Sequence, residues 1–278
     1  MRLLALTFAA MLAASASAAQ TIERIRDSGQ LTIGFRTDAP PLSFADAEGR
    51  PSGYTPMLCD RLAQAIADRL DLPELNASFV PVSTTDRFER IARGEIDILC
   101  GAATVTLERQ KIVDFSIPVY VDGTSVISRR GVGARLSDLA GQTIGFRTDT
   151  TTEQAVRNSF QAAGLEARFE PFADHKAGFK ALNDGALDAY FADQSILIFN
   201  YVSGRMAERF QILDEILTLE KQALALPRGD SDFRLLIDTL LSEMYADGTV
   251  GRVFHEALPG VEPGAALKAM FLIAPTLP

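Results

Sequence analysis

The chain has 278 residues, with 27 Lys and Arg against 36 Asp and Glu, a net charge of −9, and 47% apolar residues. That apolar share argues against disorder, and the acidic balance argues against a nucleic-acid partner, because phosphate binding needs a basic face. Two histidines, His175 and His255, stand without a Cys or second His at metal-ligand spacing, which argues against a zinc site.

The chain opens with "MRLLALTFAAMLAASASAAQ". Arg2, an apolar stretch over 3–13, and the small residues Ala16, Ser17, Ala18 and Ala19 form the pattern of a secretory signal. The apolar run is shorter than the roughly 20 residues a membrane span needs, so removal of residues 1–19 is preferred over a membrane anchor. The remainder is long enough for one large domain or two ordinary ones.

"GQLTIGFRTDAPPLSF" predicts a strand that ends in a turn, with Pro40 and Pro41 barring an immediate helix. "FERIARGEID", from Phe88, predicts a helix, a stop and a strand. Phe88 and Ile91 make an apolar face at i and i+3, and Gly94 suits the left-handed residue that ends a helix. The apolar run "IDILCGAATV" then reads as a buried strand. "DFSIPVYVDGTSVISRRGVG", with Pro118 and Gly123, reads as an extended crossover between two halves.

The heptapeptide "TIGFRTD" of 32–38 returns unchanged at 143–149, again as a strand. This time Thr150, Thr151 and Thr152 offer capping hydroxyls, with Glu153 placed for a capping box at a helix start. "FKALNDGALD", from Phe179, then repeats the pattern F-x-x-[I/L]-x-x-G-x-[I/L]-D, with Gly185 as the stop. "LDAYFADQSILIF" reads as the second buried strand. A strand at "QALALPRGD" and an amphipathic helix at "DFRLLIDTLLSEMYADG" follow, and periodicity does not place them in either half. Strands alternating with helices imply α/β lobes with largely parallel sheets. Ligands bind such sheets beyond the carboxyl ends of the strands, where each heptapeptide would lie.

Cys59 and Cys100 could bridge in an exported chain if their segments are neighbours; otherwise they are two buried thiols. No G-x-S-x-G, G-x-x-x-x-G-K-[S/T] or G-x-G-x-x-G occurs, so the common nucleophile and phosphate motifs are missing. A protein that binds rather than transforms fits this better than an enzyme.

"DILCGAATVTLERQKIVDFSIPVY" (97–120), with its T-x-x-R and D-F-S-x-P, resembles the solute-binding proteins of polar amino-acid ABC importers. "CGAATVTLERQK", "FADHKAGFKAL" and "LKAMFLIAP" resemble segments of their glutamate/aspartate-binding branch. The resemblance covers essentially the whole mature chain. It implies a two-lobed α/β clamp of the periplasmic binding-protein type (type II-like), with a ligand cleft between lobes joined by two crossover strands. One lobe would be 22–120 plus 222–278, the other 122–220.

By the same resemblance Arg109 holds the ligand α-carboxylate, a task suited to its planar fork. Thr104 and Thr151 assist it, the latter at a helix N-terminus. Ala102 makes a backbone contact, and Asp193 takes the α-ammonium. Arg36 and Arg87 face the second carboxylate of an acidic ligand, with His175 beside them. Three arginines against one aspartate would make the cleft cationic, and a neutral glutamine would leave a buried guanidinium under-paired by about 1–3 kcal/mol. Asp97 and Asp188 are expected to be structural. Asp149 near the carboxylate site must point away or pair, with Arg147 a candidate partner.

The implied protein is a periplasmic monomer that captures L-glutamate or L-aspartate without a cofactor and delivers it to the membrane subunits of an ABC permease. The nearest alternatives are a binder of another polar amino acid such as glutamine, and a cyclohexadienyl dehydratase-like enzyme on the same scaffold.

Overall fold

The computed structural model describes residues 21–276 except Ala134, so the expected signal segment lies outside the described residues. From the N-terminal side the elements are α1 (Thr21–Ser28), β1 (Gln30–Arg36), β2 (Asp38–Ala39), β3 (Ser43–Ala45), β4 (Pro51–Ser52) and α2 (Tyr54–Arg69). Next come β5 (Asn76–Val82), α3 (Arg87–Ala92), β6 (Ile98–Leu99), β7 (Val113–Asp122) and β8 (Thr124–Arg129). The second lobe continues with β9 (Thr143–Arg147), α4 (Thr151–Ala162), β10 (Arg168–Phe172), α5 (His175–Asn183), β11 (Ala189–Asp193), α6 (Gln194–Ser203) and β12 (Phe210–Ile212). The chain finishes with β13 (Glu220–Pro227), α7 (Ser231–Ala246), α8 (Thr249–Ala257) and α9 (Ala265–Ile273).

These strands form two five-stranded sheets, ordered β5-β1-β6-β13-β7 and β10-β9-β11-β8-β12, and a small β2-β3-β4 sheet. Within each large sheet three neighbours run parallel, β5-β1-β6 and β10-β9-β11, and the remaining two strands are each joined on by an antiparallel pairing. The protein is therefore two α/β lobes, with the chain crossing between them once after β7 and once before β13.

The duplicated sequence has a physical cause. In the first lobe Asp97 accepts a hydrogen bond from the Thr32 N–H at 2.8 Å and returns its own N–H to the Thr32 carbonyl at 2.8 Å. In the second lobe Asp188 and Thr143 make the same exchange at 2.9 and 2.8 Å. Each aspartate also accepts from an arginine, Arg24 in one case and Arg129 in the other. The heptapeptide glycines serve the same unit. A Cβ on Gly34 would fall 2.6 Å from Ile96 Cδ1, and one on Gly145 would fall 2.4 Å from Leu187 Cδ1. So the Thr and Gly of "TIGFRTD" receive the Asp and the Ile or Leu of "G-x-[I/L]-D", once per lobe.

Three local features differ from the sequence expectation. Residues after Asp193 do not continue as a strand: β11 stops there and "QSILIFNYVS" is helix α6, burying Ile196 and Leu197 against the lobe core. A short apolar run with a polar residue before it satisfies either period, and only packing decides it. "IDILCGAATV" forms a strand only at Ile98 and Leu99; after Cys100 the chain leaves β1 and meets β13 again through a single bridge between Thr104 and Gln222. The Thr150 hydroxyl does cap α4, accepting from the Glu153 N–H at 3.2 Å, but the Glu153 carboxylate reaches back to the Asp149 N–H rather than to that of Thr150.

At the crossing, Glu220 of β13 pairs in register with Asp122 of β7. The next residue, Gly123, passes so close to the returning chain that a Cβ there would lie 2.1 Å from the Thr218 carbonyl oxygen. No helix among the described residues is long and apolar enough to cross a membrane. Cys59 of α2 and Cys100 are joined by a disulfide that spans 41 residues of chain. Closing a loop of that length restricts the unfolded chain by about 4 kcal/mol. Replacing both cysteines by serine should lower the urea unfolding free energy by roughly that amount, with the denaturation midpoint as the readout.

Candidate ligand-binding site

One cleft between the lobes is lined by Arg36, Arg87, Ala102, Thr104, Arg109, Thr150, Thr151, Thr152, His175, Asp193 and Ile196. All eight residues that the sequence nominates for a ligand are in that set. Their placement follows from the fold. Arg36 ends β1, Asp193 ends β11, and Ala102 and Thr104 follow β6, so all lie at carboxyl ends of strands. Arg87, Thr151 and His175 are the first residues of α3, α4 and α5, so three helix N-termini border the same space.

Arg87 is the most unusual group in the cleft. It is 1% exposed, its Nη1 donates to the Ala102 carbonyl only at 3.5 Å, and its Nε has no partner. Its guanidinium lies 4.8 Å from the centroid of the Phe88 ring, and that of Arg109 lies 5.0 Å from the same centroid. Burial and then the neighbouring Arg109 and Arg36 lower its pKa well below the ordinary arginine value. Arg109 donates to the Thr104 carbonyl at 2.7 Å. His175 is buried, with Nδ1 at 3.1 Å from the Tyr190 hydroxyl and no partner for Nε2. Burial and the charge of Arg36 push its pKa down to about 3, so the ring is neutral at pH 7.

Three further charged residues, which the sequence did not nominate for the ligand, bond to the residues that line the cleft or to one another. Asp38, two residues past Arg36, accepts from Arg36 Nε and Nη2 on one oxygen, at 3.0 and 2.7 Å. Its other oxygen accepts from Arg147 Nε of the opposite lobe at 2.7 Å. Burial opposes the charge of Asp38, but Arg36 and Arg147 hold the carboxyl well below the usual range. Arg147 thus pairs with Asp38 and not with Asp149, which is exposed. At the crossing, one Glu220 oxygen accepts from the hydroxyls of Thr104 at 2.6 Å and Thr151 at 2.8 Å, joining the lobes. The other accepts from Thr218 at 2.5 Å.

Three arginines against one aspartate is therefore an incomplete account. Arg36, Arg87, Arg109 and Arg147 stand against Asp38, Asp193 and Glu220, leaving one positive charge in excess. Asp38 was visible in the repeat itself, being its last residue. Glu220 carried no such signal, because its partners Thr104 and Thr151 are 116 and 69 positions away.

Asp193 accepts from Gln222 Nε2 at 2.9 Å and from the Thr152 hydroxyl at 3.4 Å. Burial and then the charge of Glu220 push its pKa up to about 6. Asp122 behind it accepts from Ser195 and from the Gly123 N–H, and burial together with Asp193 pushes it up to about 8. No group of His, Cys, Asp and Glu among the described residues could hold a metal ion.

The model of the bacterial extracellular solute-binding proteins, family 3, matches residues 31–257. The L-glutamate/L-aspartate-binding protein of Pseudomonas aeruginosa (strain PAO1) is 26% identical over 253 residues, 90% of this chain and 84% of that one. The glutamate/aspartate import solute-binding protein of Escherichia coli K12 is 24% identical over 274 residues, 97% of this chain and 91% of that one. Among solved structures, an ancestral arginine-binding protein bound to glutamine superposes with a TM-score of 0.71 at 28% identity, covering 83% of this chain and 98% of its own.

The raised carboxyl of Asp122 gives a signed test. Between about pH 4 and 8 the unfolded chain has released a proton that folded Asp122 keeps, so this group's contribution to stability falls as pH rises. Asp122→Asn removes that loss. Its unfolding free energy relative to wild type should climb steadily from pH 4 to 8 in urea titrations made at steps across the range.

Proposed function

The chain belongs to the bacterial extracellular solute-binding proteins, family 3, and from that membership and the charges of its cleft we propose that it captures L-glutamate or L-aspartate for an ABC permease. The observation that carries the acidic specificity is Arg87, a buried guanidinium without a carboxylate partner among the described residues. Burying a charge unpaired costs several kcal/mol, which an anionic ligand group offsets. The cleft's single excess positive charge also matches the net charge of a zwitterion carrying one further carboxylate.

In this reading Arg109 and the N-terminus of α4 at Thr151 hold the α-carboxylate, with Thr104 and Ala102 shaping that end. Asp193 takes the α-ammonium, whose charge offsets the burial and the repulsion from Glu220 that raise its pKa. Arg87 and the neutral His175 meet the side-chain carboxylate, with Arg36 beside them paired to Asp38. The lobes, 22–120 with 222–278 and 122–220, close around the ligand as a monomer in the periplasm after loss of residues 1–19, and no cofactor takes part. Closure follows only if the ligand binds the closed form better than the open one. The two glutamate/aspartate-binding relatives support this reading.

A neutral ligand such as glutamine is the second reading. Asp38 already offsets part of the arginine charge, and the similar ancestral protein was solved with glutamine. Asp193, whose carboxyl is held at about 6 by burial, is a cleft group suited to an acid step, and turnover of prephenate or arogenate by the purified chain would reveal the dehydratase alternative.

Thermal unfolding of the refolded, ligand-free protein against single amino acids separates these readings. Glutamate or aspartate at about 100 times its Kd should add roughly 2.7 kcal/mol of stability, while glutamine and arginine add little. A shift with glutamine alone would overturn the acidic specificity. Arg87→Met should weaken acidic-ligand binding roughly 30-fold or more by calorimetric titration, and Arg87→Lys should not restore it, because a point charge cannot make the forked contact.

A further inference from the structure

We propose that Asp38 and Arg147 are specificity-determining residues: the chain's own carboxylate fills the fork of Arg36 and ties it across the cleft to Arg147, so that Arg87 is left as the receptor for the ligand's side-chain charge. The proposal deepens the reading of this cleft as an amino-acid site and rests on it.

Both oxygens of Asp38 are committed. Oδ1 accepts twice from Arg36 and Oδ2 accepts from Arg147. Arg36 and Arg147 are 3% and 5% exposed, so water screens the three charges poorly and their sum is felt along the cleft. The tie also crosses between lobes. It joins the first copy of the heptapeptide to the second, and beside it the Thr84 hydroxyl donates to the Thr148 carbonyl at 3.2 Å. Arg87 shares none of this. Its single weak contact is to the Ala102 carbonyl, and nothing meets its Nε.

The charge at the side-chain end is thus a balance in which Asp38 subtracts one unit and Arg147 adds one. Removing either moves the balance by one unit, in opposite directions. L-glutamate and L-glutamine have nearly the same shape and differ in side-chain charge, so the ratio of their affinities reads this balance. A contact that merely held the lobes together would weaken both ligands alike and leave the ratio unchanged.

The test is calorimetric titration of the full mature chain with L-glutamate and L-glutamine, for wild type, Asp38→Asn, Arg147→Gln and the double variant. The preference for glutamate should rise about tenfold in Asp38→Asn and fall about tenfold in Arg147→Gln, the order of magnitude for one poorly screened unit charge nearby. The double variant should return towards wild type, and Arg147→Lys, which keeps the charge, should stay near it. Should Asp38→Asn not fold, the contrast between Arg147→Gln and Arg147→Lys carries the test. Ratios that stay within about twofold of wild type, or that move the same way in both single variants, overturn the proposal while leaving the acidic-ligand reading standing. A wild type that binds glutamine but no acidic amino acid overturns that reading instead. In that case a gain of glutamate binding in Asp38→Asn supports the role of Asp38, and no gain overturns it. A wild type that binds no amino acid overturns both.

Discussion

A guanidinium withdrawn from water has to be met by negative charge, and in this protein that requirement organises the space between the lobes. Desolvation of each ion costs several kcal/mol, and only close, well-aligned partners offset it. Arg36 and Arg147 meet the requirement through Asp38. Arg109 meets it in part through the Thr104 carbonyl and the nearby charges of Glu220 and Asp193. Arg87 meets it least, with the face of Phe88 and one long contact to a carbonyl. A cation–π contact is worth about 0.5–2 kcal/mol, too little to replace a carboxylate. The unmet positive charge is therefore concentrated at one residue rather than spread over a generally basic surface, in a chain that is acidic overall.

The same balance explains why identical sequence does different work in the two lobes. Thr32 and Thr143, and likewise Gly34 and Gly145, have equivalent structural duties, because each lobe needs the first strand fastened to the aspartate and the apolar residue that follow its helix stop. The last three residues of the repeat have no such shared duty. Arg36 and Asp38 of the first copy sit together and receive Arg147 of the second. Asp149, the counterpart of Asp38, turns into the left-handed region at φ 56° and out to solvent, where its N–H meets Glu153 and helix α4 can begin. The duplicated stretch is thus a common scaffold with two different ends, and the ends meet in the cleft.

This division also marks what could be read from sequence. Helix stops at Gly94 and Gly185, the cap at Thr150 and the alternation of strands and helices are local, so residue type and spacing reveal them. The cleft set from Arg36 to Asp193 came from family-like motifs that carry their position in the fold with them. The turn into α6 after Asp193 was not legible, because "SILIF" satisfies a buried strand and a buried helix equally well until the lobe core is packed. Nor was Glu220. Its role depends on two strands crossing at Gly123 and on threonines contributed by both lobes, and neither has any trace in the residues around it.

Asp38 and Glu220 stand at different places in the cleft and do comparable work. Glu220 gathers Thr104 and Thr151 where the chain crosses between lobes, and Asp38 gathers Arg36 and Arg147 beside the side-chain end. Both sets of contacts span the lobes and are made by the chain alone. A ligand can shift the lobes towards closure only by the difference in its affinity for the two arrangements. Contacts of the chain itself that favour the closed arrangement reduce the difference the ligand must provide. In the proposed reading the groups left for the ligand are Arg87, Arg109 and Asp193, two cations and one anion, the charge pattern that would complement an α-amino acid with a second carboxylate. On that proposal specificity and closure are set by the same residues, since each internal carboxylate that helps hold the lobes together also removes one unit from the charge the ligand encounters.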